Sequence, residues 1–556
     1  MHTKWSFDAF AFGTKATPDD AYEFAKGKPL RHPLGQEVQL RRPLDFLMVS
    51  DHGFYLGVMA KMTDETHRLY HHRLGPKMRS PDPDELASAF TDIITASREG
   101  NPIEGLENPD VLTDTWAEII ESANRHYDPG NFTTFIGYEW TSTPDGQNLH
   151  RNVVFRGDTA PTPFTRLDSL NPEDLWFWMD GVRRQGHEVL AIPHNSNISD
   201  GRMFEQLDSW DRPFTAQYAE TRNRNEPLVE ATQVKGDSET HPLLSPNDEF
   251  AHFEPLETLV ASSIPVTKFK GGYVREALKT GLEFKDKEGY NPYQFGMLAS
   301  TDSHTGIVPA AEDNYTGKVG NLDGSPEQRL LREFPGTDLS RFSASGLAGV
   351  WAEENTRESL FDAMRRKETW ATSGPRIQVR LFGGYDMEAA APGKSDWLEA
   401  AYKAGVPMGG QLETSEEAPT FVVWALKDPD SANLDRVQIV KGWSAGGNSY
   451  EKIFDVAWSG DREPDPETGK LPAVGSTVNM DTATYTNTIG SVELKATWTD
   501  PTFNPDENAF YYARVLEIPT PRWSLYDSVK LGIEHPSHLD PILQERAYTS
   551  PIWYER

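Results

Sequence analysis

The sequence predicts an α/β first part, to about residue 375, followed by an all-β, sandwich-like part over residues 376–556. Three observations carry this reading. Up to about Gly374, short apolar runs alternate with helical patterns, the rhythm of βα units. Beyond it, alternating β-branched and aromatic runs are separated by Gly, Pro, Asp and Asn, the texture of a β-sandwich. Finally, each apolar run of the first part ends in carboxylate or imidazole residues. Strand ends carry such residues where the carboxyl edges of parallel strands share one functional face.

In chain order, "TPDDAYEFAKG" predicts a helix with Thr17 as N-cap, Pro18 at its first position, Asp19 and Asp20 in its first turn and Gly27 at its end. "LDFLMVSDHG" predicts a buried strand with a polar end. Helices are expected at "DELASAFTDIITASREG" and "DTWAEIIESANRHYDPG", then a strand at "TTFIGYEW", a helix at "PEDLWFWMDGVRRQG" and a strand at "EVLAIPHN". "YQFGMLASTDSH" predicts a strand, and "TRESLFDAMRRKET" a helix capped by Thr356. In the second part "RIQVRLFGGY", "PTFVVWALKD", "RVQIVKGW", "SVELKATWTD" and "AFYYARVLEI" predict strands, with "GDREPDPETGK" an exposed loop.

Composition excludes several classes. With 85 acidic against 54 basic residues the net charge is -31, which repels nucleic acid at long range. No apolar run has the length of a membrane span. The absence of cysteine excludes disulfides, thiolate metal sites and a Cys nucleophile. No G-x-S-x-G, Walker or dinucleotide-binding spacing is present. "MHTKWSF" has no signal-peptide character, so the compartment stays open: periplasmic or secreted if a signal lies upstream, cytoplasmic otherwise. Oligomeric state is not legible.

The strand ends hold the chemistry. "VSDHG" offers Asp51 and His52, "GYEWTSTPDGQNLHRN" Glu139 and His150, "IPHNSN" His194, and "STDSHTG" Asp302 and His304; the opening "MHTKWSFDAF" adds His2 and Asp8. Such dipeptides arise singly by chance, whereas five in order, each after an apolar run, do not. So many ionisable groups on one face would repel and desolvate badly without a cation. An all-nitrogen-and-oxygen donor set suits Zn, Mn or Fe. Asp51 fits the role of orienting a histidine better than that of a ligand. Histidines such as His32, His126 and His538 lack this context and receive no role.

The order of these elements resembles the PHP (polymerase and histidinol phosphatase) superfamily of metal-dependent phosphoesterases. Within it, the chain is similar over nearly its full length to a large bacterial family described as a domain of unknown function. "SFDAFAFGTKATPDDAYEFAKG", "VKGDSETHPLLSPNDEFA", "TWATSGPRI" and "YYARVLEIPTPRWSLYDS" are among its telling stretches. The resemblance implies a distorted seven-stranded (β/α) barrel with two or three divalent metals. It gives His2 and Asp302 to a first metal, Glu139 as a bridge, His150 and His194 to a second, and Asp8, His52 and His304 to a third. It also implies an H-x-H motif whose first histidine would precede Met1, hence an expectation that the natural protein continues upstream with a strand and that histidine.

Two metals imply hydrolysis of a small anionic phosphate ester by a metal-bridging hydroxide, with a sulfate ester as chemical neighbour. The reading from another class is a noncatalytic metal- or glycan-binding module with a degenerate site. Glu139, Lys235, Asn195 and Arg151 are the candidate catalytic residues: Lys235 as an anion-binding cation, Asn195 and Arg151 as groups orienting ester oxygens. Glu239 is assigned to support a histidine.

Overall fold

The computed structural model describes residues 1–98, 103–260, 262–332 and 338–556. The first part opens with α1 (Phe7–Ala11) and α2 (Pro18–Ala25). The start of α2 is fixed by a reciprocal cap. Asp20 N donates to Thr17 Oγ1 at 3.1 Å, and Thr17 N donates to Asp20 Oδ2 at 2.8 Å. Gly27, with φ of +92°, supplies the left-handed exit. Strand β1 (Phe46–Met48) is followed by the long helices α3 (Pro83–Arg98) and α4 (Pro109–His126). The expected end of α3 at Glu99 and Gly100 lies outside the described residues.

Next come β2 (Thr133–Trp140), β3 (Arg151–Phe155), α5 (Pro172–Arg184) and β4 (Val189–Pro193). They are followed by β5 (Leu228–Gln233), β6 (Gly236–Asp237), α6 (Val274–Glu288) and β7 (Gly296–Ala299). These strands form two sheets, ordered β1-β2-β3-β4 and β6-β5-β7. β1 runs parallel to β2, and β5 parallel to β7, but β3 is antiparallel to both neighbours and β6 to β5. The first part is therefore α/β with mixed sheets. Among the described residues strand pairing does not close the two sheets into a barrel. Its main core packs α2, α4 and α5 on the first sheet through Tyr22, Trp116, Ile119, Trp176 and Met179. Coverage from both sides explains why β2 is buried at every residue.

Strands β8 (Leu347–Val350) and β9 (Thr369–Thr372) flank α7 (Arg357–Arg365), whose cap is Thr356. The all-β strands are β10 (Gln378–Gly384), β11 (Thr420–Leu426), β12 (Leu434–Ala445) and β13 (Asn448–Trp458). They continue with β14 (Glu493–Thr499), β15 (Asn508–Glu517), β16 (Arg546–Thr549) and β17 (Ile552–Tyr554). One sheet runs β8-β9-β16-β15-β12-β13, so β8 and β9, which precede residue 375, join strands from the end of the chain. The other contains β10-β11-β14. Val379, Leu381, Phe421 and Val423 meet Val437, Ile439, Tyr511 and Val515 between the two sheets.

The hairpin β12–β13 turns on Gly446 and Gly447, both at positive φ, the backbone that a two-residue turn of this hand requires. On its far side the larger sheet is covered by α6, where Val274, Ala277 and Leu278 pack with Val440, Phe510 and Tyr512. β15 is therefore buried along its whole length. "GDREPDPETGK" is an irregular, largely exposed loop. No helix among the described residues is long and apolar enough to cross a membrane.

Candidate metal centre

His2 is seated by backbone pairing on both sides. Its N–H donates to Ser303 O at 2.8 Å, its carbonyl accepts from Gly306 N, and the Met1 carbonyl accepts from Ser50 N. The ring is then aimed: Nε2 lies 2.8 Å from Asp302 Oδ1 and 3.2 Å from Glu139 Oε2, and Nδ1 lies 2.8 Å from Ser6 Oγ. Ser6 Oγ donates to Asp51 Oδ1 at 2.8 Å, and Asp51 also accepts from Thr3 N and Thr3 Oγ1. Asp51 is thus filled with donors and orients His2 through Ser6.

Glu139, one residue before the end of β2, occupies the middle. Its Oε1 is 2.8 Å from His150 Nδ1 and 3.1 Å from His52 Nδ1. Its Oε2 faces His2 and, at 3.5 Å, His194 Nε2. His52 reaches it because the chain beyond β1 stays alongside β2, with Glu139 N donating to Asp51 O and Gly53 N to Glu139 O. Asp8, in the first turn of α1, places Oδ2 3.1 Å from His52 Nε2 and 2.8 Å from His304 Nε2. Asp302 holds a left-handed backbone, φ +47°, at the turn after β7. Such strain in a non-glycine residue persists where surrounding contacts over-determine it.

The reversal of β3 decides His150. It precedes the first residue of a strand running opposite to β2, so it reaches the rim where Glu139 ends up. It stands at an amino end rather than at the carboxyl end that the sequence pattern implied.

Three groups have ligand atoms close enough to share one ion: His2, Glu139 and Asp302; Glu139, His150 and His194; and His2, His52 and His304. All are buried. Burial opposes ionisation of Asp8, but His304 and His52 outweigh it and hold the carboxyl well below its usual range. At Glu139 burial is likewise outweighed by His52, His150 and His194, and at Asp302 by Lys235 and Lys318. Burial pushes His150 down to about 4 and His304 down to about 3. Ionised carboxylates and neutral imidazoles are the ligand forms of these side chains. His52 differs: burial lowers it, but Glu139 and Asp8 lift it to about 10.

Two further atoms test the fit. His150 Nδ1 and His194 Nε2 are buried without a hydrogen-bond partner, although both are near the Glu139 carboxylate. Buried polar atoms are rarely left so. A divalent ion would satisfy both lone pairs and the carboxylate, so the residues present fit such a group.

The remaining candidates divide. Lys235 Nζ bonds Asp302 Oδ2, and the same oxygen accepts from Gln233 Nε2 at 3.0 Å. Asn195, also left-handed at φ +52°, accepts from Gln233 through Oδ1, and its Nδ2 has no partner among the described residues. Arg151 is not brought to the cluster. Alternate residues of a strand face opposite sides, so Arg151 turns into the core, where Nε donates to Glu226 Oε1 at 2.9 Å. Glu239 is also elsewhere, bonded to Arg275 and Tyr512 rather than to a histidine.

Sequence reasoning missed three neighbours. Lys318 Nζ lies 2.8 Å from His304 Nδ1, and Gln233 joins Asn195 to Asp302. Glu230, in β5, is buried and pushed up to about 6 by its burial. Lys318 stands in an irregular loop without a local signal, and Gln233 only ends its strand; Glu230, a carboxylate set between apolar residues of β5, is the one local hint.

None of the curated proteins and none of the solved structures compared matches this chain. One family model, described as "Protein of unknown function (DUF3604)", matches residues 1–556. With its whole length matched, the chain belongs to the DUF3604 family.

Proposed function

We propose that the chain is a metal-dependent hydrolase of small phosphate esters, mono- or diester, and that its two α/β sheets are an opened, distorted PHP-type barrel. One observation carries the reading. The two oxygens of Glu139 face different partners, His150 and His52 on one side, His2 and His194 on the other. Together these four histidines span all three ligand groups, so the carboxylate stands between the groups, as one shared by neighbouring cations would. Zinc, manganese or iron suits a donor set of imidazole and carboxylate. Divalent ions held there would supply Lewis-acid charge and a water of lowered pKa.

The chain's own residues do the rest. His2, Asp302 and Glu139 would hold one ion, Glu139, His150 and His194 a second, and His52 and His304, with the Asp8 carboxylate beside both, a third. Lys235, bonded to Asp302 at the edge of the pocket, draws in the anionic substrate. Asn195 Nδ2 is a spare donor for an ester oxygen. Arg151 has no part, because its guanidinium is engaged by Glu226. Residues 1–375 carry the centre in this reading, and residues 376–556 support it from behind.

The test is removal of metal by a chelator followed by add-back of zinc, manganese or iron. Metal content and turnover of aryl phosphate and aryl sulfate esters are read together. Turnover should vanish and return with the metal. Activity that survives in verified metal-free protein overturns the reading, and turnover of the sulfate ester alone replaces phosphorus by sulfur as the atom attacked.

A further inference from the structure

A pocket of about 150 Å³ opens onto the cluster. Asp8, His52, His150 and His304 line one end of it. Lys235 and Lys318 flank that end through their contacts with Asp302 and His304. The rest is apolar, with Phe7, Phe12, Phe54, Phe90, Ile94 and Leu256 in the wall. Nothing in the hydrolytic reading requires such a wall, since a sugar or glycerol phosphate would leave its hydroxyls unpaired against it.

The wall is built into the same element as the site. Phe7 precedes the candidate ligand Asp8 in α1, and Phe12 follows that helix directly. Phe90, on α3, stacks on Phe7 at 6.0 Å and packs against Phe12 at 4.9 Å. Ile94 lies one turn further along α3, on the face that Phe90 shares. One basic group stands against the wall itself: Arg166 lies 4.9 Å over the Phe54 ring, and no carboxylate pairs with it among the described residues. The space is of the size at which an engineered apolar cavity in another protein takes up benzene.

We infer that the substrate is an amphiphile, an anionic ester whose organic group is an aryl or comparably compact apolar body. The anion meets the ligand cluster, Lys235 and Lys318, and the apolar body lies between α1 and α3, under Arg166. The inference rests on the hydrolase reading for the word ester, but its core is a binding preference that can be measured without turnover.

Isothermal titration of the metal-loaded, full-length chain with phenylphosphonate and methylphosphonate provides that measurement, because neither probe has an ester bond to cleave. Phenylphosphonate should bind about 30-fold more tightly, the scale set by burying one phenyl face. Ile94→Gln, which keeps side-chain length and helix propensity, should lower the ratio of the two affinities about tenfold. If that variant does not melt as a folded protein, Phe90→Ala takes its place. Equal affinities for the two probes, or a ratio unchanged in a folded variant, overturn the inference. Equal affinities alongside ester turnover sink the apolar preference and leave the hydrolase standing. An aryl preference without turnover of any ester does the reverse.

Discussion

Glu139 and Ser6 illustrate how single residues set this site. Glu139 contacts four histidines from four different segments, and its own position comes from backbone pairing with the stretch after β1. Ser6 contributes no ligand, but its hydroxyl ties His2 to Asp51. Groups that orient metal-binding histidines cost about 10–100-fold in metal affinity when removed. Ser6→Ala should therefore weaken metal binding by that order, read by competition with a chelating dye. Glu139→Gln should lose at least as much, together with ester turnover.

At this scale Asp51, His52, Glu139, His194, Asp302 and His304 stand out in the sequence because each ends an apolar run, whereas His2, Asp8 and His150 do not. Arg151 was misread for the reason that should have excluded it: it is the neighbour of His150, and the pleat sends neighbours to opposite faces. Lys318 was illegible, since only the path of its loop brings it to His304.

At the scale of elements, β2 shows how tightly the scaffold is fitted. Gly137, two residues before Glu139 on the same face, has no room for a side chain. A Cβ there would lie 2.2 Å from Met48 Sδ and 2.6 Å from the backbone oxygen of Val153. Overpacking of this kind costs about 1–3 kcal/mol. Gly137→Ala should therefore unfold at lower denaturant, and it should also lower metal occupancy, because the strand that yields is the one carrying Glu139.

Element existence was largely readable from caps and periodicity, as at Thr17, Thr356 and the uninterrupted β2. Direction was not. Whether β3 runs with or against β2 depends on the 141–150 connection, and apolar pattern is the same either way. The strands β3 and β5, the strand β13, the pair β8 and β9, and the late strands β16 and β17 were also missed. Among these, β13 is long and pairs with adjacent β12, whereas β8, β9, β16 and β17 are short strands paired with more distant segments, which leave little local signature.

At the scale of the whole molecule, a buried ion network joins the α/β part to the large sheet. Arg275 on α6 contacts Glu239 at 2.6 Å and Asp248 at 2.9 Å, and Arg514 on β15 contacts the same Asp248 at 2.7 Å. Removing one member strands buried charge, which costs about 3–5 kcal/mol. Arg275→Met should show that loss in chemical denaturation.

The sheet also holds a carboxyl in its acid form. Glu517 on β15 is raised from an ordinary 4.5 to about 8, first by burial, with Asp428 adding to it, while Ser431 Oγ donates to one of its oxygens. The folded state then binds the extra proton between these values, so stability is full below about 4.5 and declines as pH rises through about 8. Melting temperature should fall over that range, and Glu517→Gln should flatten the fall. A variant with the wild-type slope would contradict the assignment. The two textures of the chain announced an α/β part and a β part, but not their shared sheet, because no local pattern shows that residues some two hundred apart will pair.

That shared sheet has a consequence in time. A ribosome releases the strands in order, yet β16 is inserted between β9 and β15, and Ser550, just beyond it, accepts a hydrogen bond from Met297 N on β7. The strand leading to Asp302 and His304 is thus braced by residues synthesised about 250 positions later. Synthesis of the ligands therefore precedes completion of their frame, and the nascent chain carries histidines and carboxylates that are not yet mutually placed. On the metal-dependent reading proposed above, ions would meet their final geometry late, after the last strand has docked.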